Sequence, residues 1–278
     1  MIPFAKAHAC GNDFLIVAED DVTGRDLPGL TRSLCDRNRG VGADGIEFFT
    51  WTRRDRTGPA ARVRLFNADG STAEISGNGT RCVAAWMAEA LHAQPGQKLD
   101  IVTDAGLRVC LVNAVHNGNQ FSVDVTTGMG IPAIAQKTVT LADGASISGS
   151  AVSIGNPHFV VLVDNPGFTV AGRAWQAVGT EICAHPAFPH QTNVEFVLVT
   201  GDAGIEIRIF ERGVGPTHSS GTGTSAAATA ALALGLATSP LRVVAPGGPQ
   251  TVAWAGPGAE LQLTGPASLI ARGEAWLP

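Results

Sequence analysis

Charge is scarce in this chain: 15% of its 278 residues are Asp, Glu, Lys or Arg, against 45% hydrophobic. That balance describes an ordinary folded protein and excludes a charge-rich disordered one. The net charge of −5 lacks the basic excess that nucleic acid demands, so nucleic acid is not an expected partner. The local exception, Arg53, Arg54, Arg56, Arg62 and Arg64, reads as a solvated loop leading into a strand. Cysteine pairing is absent too. The five cysteines, Cys10, Cys35, Cys82, Cys110 and Cys183, are odd in number, contain no CxxC, and share no metal-ligand spacing with the seven histidines. No metal site and no structural disulfide is expected, which suits a reducing cytoplasm. The opening MIPFAKAHACGND has no apolar h-region, so no signal peptide is expected. The apolar run after Ser220 is short and broken by Gly235, so no membrane span is expected either.

What the chain does have is a repeated stretch. Ser76-Gly77-Asn78-Gly79-Thr80 and Ser220-Gly221-Thr222-Gly223-Thr224 each open an Ala-rich apolar run. Ser before glycines and such a run is a helix start with Ser as N-cap. The glycines let backbone N–H groups converge on an anion, helped by the helix dipole. An offset of 144 residues relates the two stretches, and it also carries Gly11-Asn12 onto Gly155-Asn156, Phe66 onto Phe210 and Ala7 onto Ala151, with Phe14 one residue short of Phe159. The chain therefore reads as two copies of one α/β unit, each about half of an ordinary two-domain length. Two anion-receiving helix starts suggest a single site at the seam, gripping a carboxylate from both sides.

In chain order, residues 1–18 read as two strands about a Gly-Asn-Asp turn. A helix over Leu30–Asp36 follows, then strands over Ile46–Trp51 and Val63–Phe66, and then the first central helix. Asp100–Thr103, Arg108–Val112 and Phe121–Val125 read as strands, and the polar, Gly-rich residues 131–150 as a linker. The second unit repeats the order: Val152–Ile154, Phe159–Val163, a helix around Trp175, Val194–Val199, Ile205–Phe210 and the second central helix. Leu241–Val244, Thr251–Trp254, Leu261–Leu263 and Ser268–Arg272 read as closing strands. A helix apolar on nearly every face must be buried all round. The expected architecture is thus a strongly curved sheet wrapped about each central helix.

Several motifs together resemble one family. His8 with Gly11-Asn12-Asp13-Phe14, Gly40 to Gly45, Phe66 to Gly70, Gly77 to Cys82, Gly155-Asn156-Pro157-His158, Thr192-Asn193-Val194, Glu211-Arg212-Gly213 and Gly221-Thr222-Gly223 are similar to diaminopimelate epimerase, in order and from residue 4 onward. The resemblance implies an α/β fold of two pseudo-symmetric domains, 1–118 with 266–278 and 119–265, and an active site in the cleft between them. It implies cofactor-independent inversion at an amino acid's α-carbon, in which one thiolate removes a proton while a thiol opposite delivers one. Carried over by motif, Ser76, Ser220, His158 and Glu211 take the catalytic positions. Asn12, Asn67, Asn156, Asn193 and Arg212 bind the distal amino-acid end, with Glu211 at its ammonium. Gly77, Asn78, Gly221 and Thr222 hold the reacting carboxylate. The expected partner is a small amino acid with two amino-acid ends, with a homodimer left open.

The sequence departs from this pattern at the chemistry. The family's two cysteines fall on Ser76 and Ser220, and a hydroxyl is an inadequate base unless another base activates it. Pro216 stands where a Glu is usual, and Glu47 where an apolar residue is usual. Glu47 is either an extra acid/base in the cleft or an exposed edge residue, with the exposed reading slightly favoured. Three readings follow: a diaminopimelate-type epimerase (LL- to meso-diaminopimelate) with serines for thiols, a one-base isomerase or dehydratase on the same fold, or a non-catalytic amino-acid-binding protein.

Overall fold

A computed structural model describes residues 1–55 and 58–276. Arg56 lies outside the described residues. The chain divides into two compact units, 1–127 with 264–278 and 128–263.

Unit 1 contains β1 (Ile2–Ala9), β2 (Asn12–Ala18), α1 (Leu27–Cys35), β3 (Gly45–Arg53), β4 (Ala60–Asn67), β5 (Thr72–Ala73), α2 (Gly77–Leu91), β6 (Lys98–Thr103), β7 (Gly106–Asn117) and most of β8 (Phe121–Gly130). Strands β2/β3 and β4/β6 pair parallel, whereas β1/β2, β3/β4, β6/β7 and β7/β8 pair antiparallel. The last strand of the chain pairs with both β1 and β8, which closes eight strands around α2. The small side chains of α2 make this closure possible. Cys82, Val83, Ala84, Ala85, Met87 and Ala88 are fully buried, packed on Phe14, Ile16, Phe49, Val63, Leu65 and Leu99 from the surrounding strands. The opposite face of β3, through Ile46 and Phe48, packs with Leu30 and Leu34 of α1. Period-two alternation thus decides which β3 side chains face α2: residues 45, 47, 49 and 51.

Unit 2 repeats the plan with β9 (Ala133–Thr140), β10 (Ser146–Ser153), β11 (Pro157–Val163), β12 (Thr169–Val170), β13 (Arg173–Ala174), α3 (Trp175–Cys183), β14 (Asn193–Gly201), β15 (Gly204–Glu211), β16 (Gly215–Thr217), α4 (Gly221–Ala233), β17 (Leu241–Ala245) and β18 (Gly248–Ala253). Its parallel pairs, β11/β14 and β15/β17, match β2/β3 and β4/β6. Val197, Ile207, Ile209 and Val243 pack on the alanines of α4, and Phe196 and Val194 on Val178 and Ile182 of α3.

Three expectations are corrected. Residues 131–150 are not a linker, because β9 and most of β10 occupy them and pair from Ser146↔Thr140 to Ser153↔Ala133. Their alternating burial is that of a half-buried strand pair, which a scan for polar and glycine content overlooks. The two closing strands are one, β19 (Leu261–Ala275), continuous through Pro266. The repeat offset is also not uniform. It is 144 for α2/α4, whereas α1/α3 and β3/β14 are displaced by 148. In register, Phe14 opposite Gly45 corresponds to His158 opposite Asn193, so Phe14 matches His158 and not Phe159.

Candidate active site

Ser76 has extended backbone (φ −124°, ψ 123°) and its Oγ accepts from Gly79 N at 3.0 Å, capping α2. That contact leaves the N–H groups of the first turn directed out of the helix, where an anion is stabilised. Beside this mouth, Asn78 Nδ2 donates to Asn12 Oδ1 at 3.1 Å, while Asn78 Oδ1 accepts from the fully buried Arg81 at 2.6 Å. Asn12 sits after Cys10-Gly11, where the tight β1–β2 turn takes both residues to positive φ, 52° and 82°. A charged network fixes that turn. Asn12 Nδ2 donates to Asp44 Oδ2 at 2.7 Å, Arg37 bridges Asp44 and Asp13 at 2.8 and 2.7 Å, and Lys6 lies 3.0 Å from Asp13. Burial raises the Asp13 carboxyl, but hydrogen bonds and charge from Arg37 and Lys6 outweigh it and hold the group below its ordinary value.

Unit 2 has the same mouth with different chemistry behind it. Ser220 caps α4, its Oγ accepting from Gly223 N at 3.2 Å. Asn156 Nδ2 donates to Thr222 Oγ1 at 3.3 Å, the counterpart of the Asn78–Asn12 contact. From there a chain of hydrogen bonds runs inward. Ser220 Oγ lies 3.4 Å from Thr222 Oγ1, Asn156 Oδ1 lies 2.9 Å from His158 Nε2, and His158 Nδ1 lies 2.8 Å from Glu195 Oε1. His158 and Glu195 are 1% and 0% exposed. Burial pushes the Glu195 carboxyl up and His158 pulls it part of the way back. Glu195 Oε2 is buried without a hydrogen-bond partner among the described residues.

Glu195 has a counterpart in Glu47. Both stand third in their strands, GIEFF and NVEFV, and both face the central helix. A Cβ built on Gly79 falls 2.0 Å from Glu47 Oε1, and one built on Gly223 falls 2.8 Å from Glu195 Oε1. Each carboxyl thus lies directly against the glycine above it and would have to move to admit a side chain there. The expectation that Glu47 is an exposed edge residue is overturned, since it is 2% exposed because β3 is interior to the ring. Phe14 occupies the place that His158 holds in unit 2, so no cation stands beside Glu47 among the described residues. Burial alone lifts its carboxyl to about 8.

A family model for diaminopimelate epimerase matches residues 4–132 and 150–270. The chain belongs to the diaminopimelate epimerase family. It is 39% identical over 280 residues to the diaminopimelate epimerase of Corynebacterium glutamicum, covering 98% of both chains. It is 34% identical over 289 residues to that of Prochlorococcus marinus, covering 98% of this chain and 92% of that one. Among solved structures, a PhzF-family phenazine biosynthesis protein from Bacillus anthracis shares the fold with a TM-score of 0.71 at 15% identity, over 100% of this chain and 99% of that one. A hydroxyproline epimerase from Agrobacterium vitis does so with a TM-score of 0.70 at 16% identity, over 98% and 91%. The protein is an enzyme of an isomerase family.

Within each unit, residues expected from the diaminopimelate epimerase resemblance fall into separate groups. Ser76, Gly77, Asn78 and Asn12 meet at the mouth of α2; Asn67 is exposed at the end of β4, where its Nδ2 donates to Ser71 Oγ at 3.0 Å. Ser220, Gly221, Thr222, Asn156 and His158 meet at the mouth of α4. Asn193 Oδ1 accepts from Arg212 N at 3.1 Å and Arg212 Nη1 donates to the His190 carbonyl at 2.9 Å, which brings these two residues together at the end of β15, where Glu211 also lies. Pro216 sits opposite Phe210 in β16. Sequence reading missed Glu195 and Arg81. The aligned strands GIEFF and NVEFV carried the signal for Glu195, hidden by the uniform offset. Arg81 read as one more motif letter. Two surface cavities, about 490 Å³ near Arg25 and Arg64 and about 630 Å³ near Arg39 and Trp276, contain none of the expected site residues. No group of three or more His, Cys, Asp or Glu side chains placed to hold a metal occurs among the described residues. No helix among them is long and apolar enough to cross a membrane.

Proposed function

We propose that the protein is a cofactor-independent amino-acid isomerase acting at the α-carbon of a diaminopimelate-type substrate, the LL- to meso- interconversion that supplies lysine and peptidoglycan precursors. The observation that carries this reading is the duplicated helix mouth: Ser76-Gly77-Asn78 with Asn12, and Ser220-Gly221-Thr222 with Asn156. Backbone N–H groups at such mouths bind the reacting carboxylate and stabilise the charge that spreads onto it when the α C–H bond breaks. Asn67, Asn193, Glu211 and Arg212 are proposed to recognise the distal amino-acid end, with Arg212 on its carboxylate. His158 and Glu211 are proposed to set proton positions near the serines.

A serine hydroxyl loses its proton far less readily than a thiol. The reaction is therefore proposed to be slow in this form. One observation favours a second reading, one-base isomerisation or dehydration. The groups behind the two serines are unequal, a His158–Glu195 pair in unit 2 and Glu47 with Phe14 in unit 1. The test is calorimetric titration with LL- and meso-diaminopimelate and with lysine, followed by NMR of the α-proton in D2O. Binding of diaminopimelate with α-deuteration supports an isomerase. Binding without deuteration leaves a binding protein, and equal affinity for lysine removes the distal clamp.

A further inference from the structure

Among the described residues of unit 1, Glu47 is a buried carboxyl with no cation at ion-pair distance, and it stands behind the serine-capped mouth of α2. Its surroundings are otherwise apolar. β2 presents Phe14 and Ile16 to it, β4 presents Leu65, and β3 itself contributes Phe49 on the same face. The titratable groups on α2 nearby are Cys82, whose thiol burial pushes far up so that it stays protonated, and Arg81, whose guanidinium is directed to Asn78 Oδ1. Asp13 and Arg64 fall on the other faces of β2 and β4. A position built out from Gly79 lies 2.0 Å from Glu47 Oε1 and 3.2 Å from Ser76 Cβ. The carboxyl and the serine side chain thus flank one glycine.

An uncompensated buried carboxyl is the kind of group that is retained for function rather than for stability. Its counterpart Glu195 occupies the equivalent place under Gly223, which shows that the fold accommodates a carboxyl here twice. We propose that Glu47 is a positioning residue that acts through Ser76, holding and returning the proton that the hydroxyl relays. The inference rests on the isomerase reading above. In the forward step the α C–H bond breaks, its electron pair moves onto the substrate carboxylate, and its proton goes to Ser76 Oγ. The serine's own hydroxyl proton passes to the Glu47 carboxylate. In the reverse step Glu47 returns that proton to Ser76, which delivers a proton to the α-carbon. Protons and charge balance without a thiol and without a co-reactant. The forward step needs the Glu47 carboxylate, so its rate rises with pH to a plateau above about 8.

The experiment compares the parent with E47Q, E47D and E47L, each checked for folding by circular dichroism. Diaminopimelate affinity is measured by calorimetry and α-proton exchange in D2O by NMR across pH. Expected are unchanged affinity, exchange at least about 100-fold slower in E47Q and E47L, loss of the alkaline limb in both, and its partial return in E47D. Exchange by E47Q at the parent rate with the same limb overturns the relay while leaving the substrate reading intact. Binding without exchange in the parent also overturns it. Failure of diaminopimelate to bind removes the substrate reading, and the relay falls with it.

Discussion

The two helix mouths share a scaffold and differ in what stands behind the serine. In unit 2, Glu195 is hydrogen-bonded to His158, and a continuous chain of contacts leads through Asn156 and Thr222 to Ser220. In unit 1, the corresponding chain turns outward, from Asn78 through Asn12 and Asp44 to Arg37 and Asp13, and leaves Glu47 among apolar side chains. At the register position where unit 2 has His158, unit 1 has Phe14, which removes the histidine partner of the carboxyl. A carboxyl that keeps a histidine partner has somewhere to share its proton. A carboxyl facing a phenyl ring has no such partner, and burial alone lifts Glu47 to about 8, whereas His158 pulls the raised Glu195 part of the way back.

That contrast can be broken most forcefully through the carboxyls. Glu195→Leu strands His158 in a closed interior and is expected to destabilise the protein by about 3–5 kcal/mol, measured by urea unfolding. Glu47→Leu is expected to act in the opposite sense. In the unfolded chain Glu47 ionises above its ordinary 4.5, whereas in the folded chain it stays protonated until about 8. Its contribution is therefore fully present below about 4.5 and is lost as pH rises through about 8. The loss is on the order of 5 kcal/mol across that window. Glu47→Leu should flatten this slope and leave the variant more stable than the parent at pH 9. Unfolding of both variants with the same sign and the same pH slope would erase the distinction between the units.

Arg212→Ala concerns unit 2 alone. Loss of a guanidinium from a substrate carboxylate is expected to weaken diaminopimelate binding by about 2–5 kcal/mol, read by calorimetry. An unchanged affinity would assign Arg212 to its His190 and Asn193 contacts only. The smallest effects concern the glycines. Gly79→Ala drives a methyl into Glu47 Oε1 and Gly223→Ala into Glu195 Oε1, at 2.0 and 2.8 Å before relaxation. Both should cost about 1–3 kcal/mol in thermal or urea unfolding, the first more than the second. Combining Gly79→Ala with Glu47→Ala should recover most of the loss.

Much of this was legible in the sequence because the repeat is carried by short-range chemistry. Ser-Gly before an Ala-rich run dictates a capped, buried helix wherever it occurs, so α2 and α4 begin where the sequence says they do. The contacts Asn12–Asn78 and Asn156–Thr222 were not legible, because the resemblance implied Asn12 and Asn156 for the distal amino-acid end and Asn78 and Thr222 for the reacting carboxylate. The rest depends on registers that only strand pairing sets. Glu47 reads as exposed when β3 is taken by itself, because a strand pattern does not say how many neighbours the strand acquires. The Glu47–Glu195 equivalence is concealed by the four-residue change in offset between the second strand and β3 or β14. β9 and β10 hide in a stretch whose polar, outward-facing residues outnumber its buried ones.

The proposed function turns on Ser76 and Ser220 as the groups that limit the reaction. The most direct measurement is an LL-/meso-diaminopimelate interconversion assay of the parent, S76C, S220C and the double variant under reducing conditions. Restoring one thiol supplies a base without a matched acid, so each single variant should epimerise poorly. The double variant should exceed either single by at least about 100-fold, because groups that act as a unit are strongly non-additive. A double variant that folds and binds diaminopimelate yet does not invert it would contradict the account.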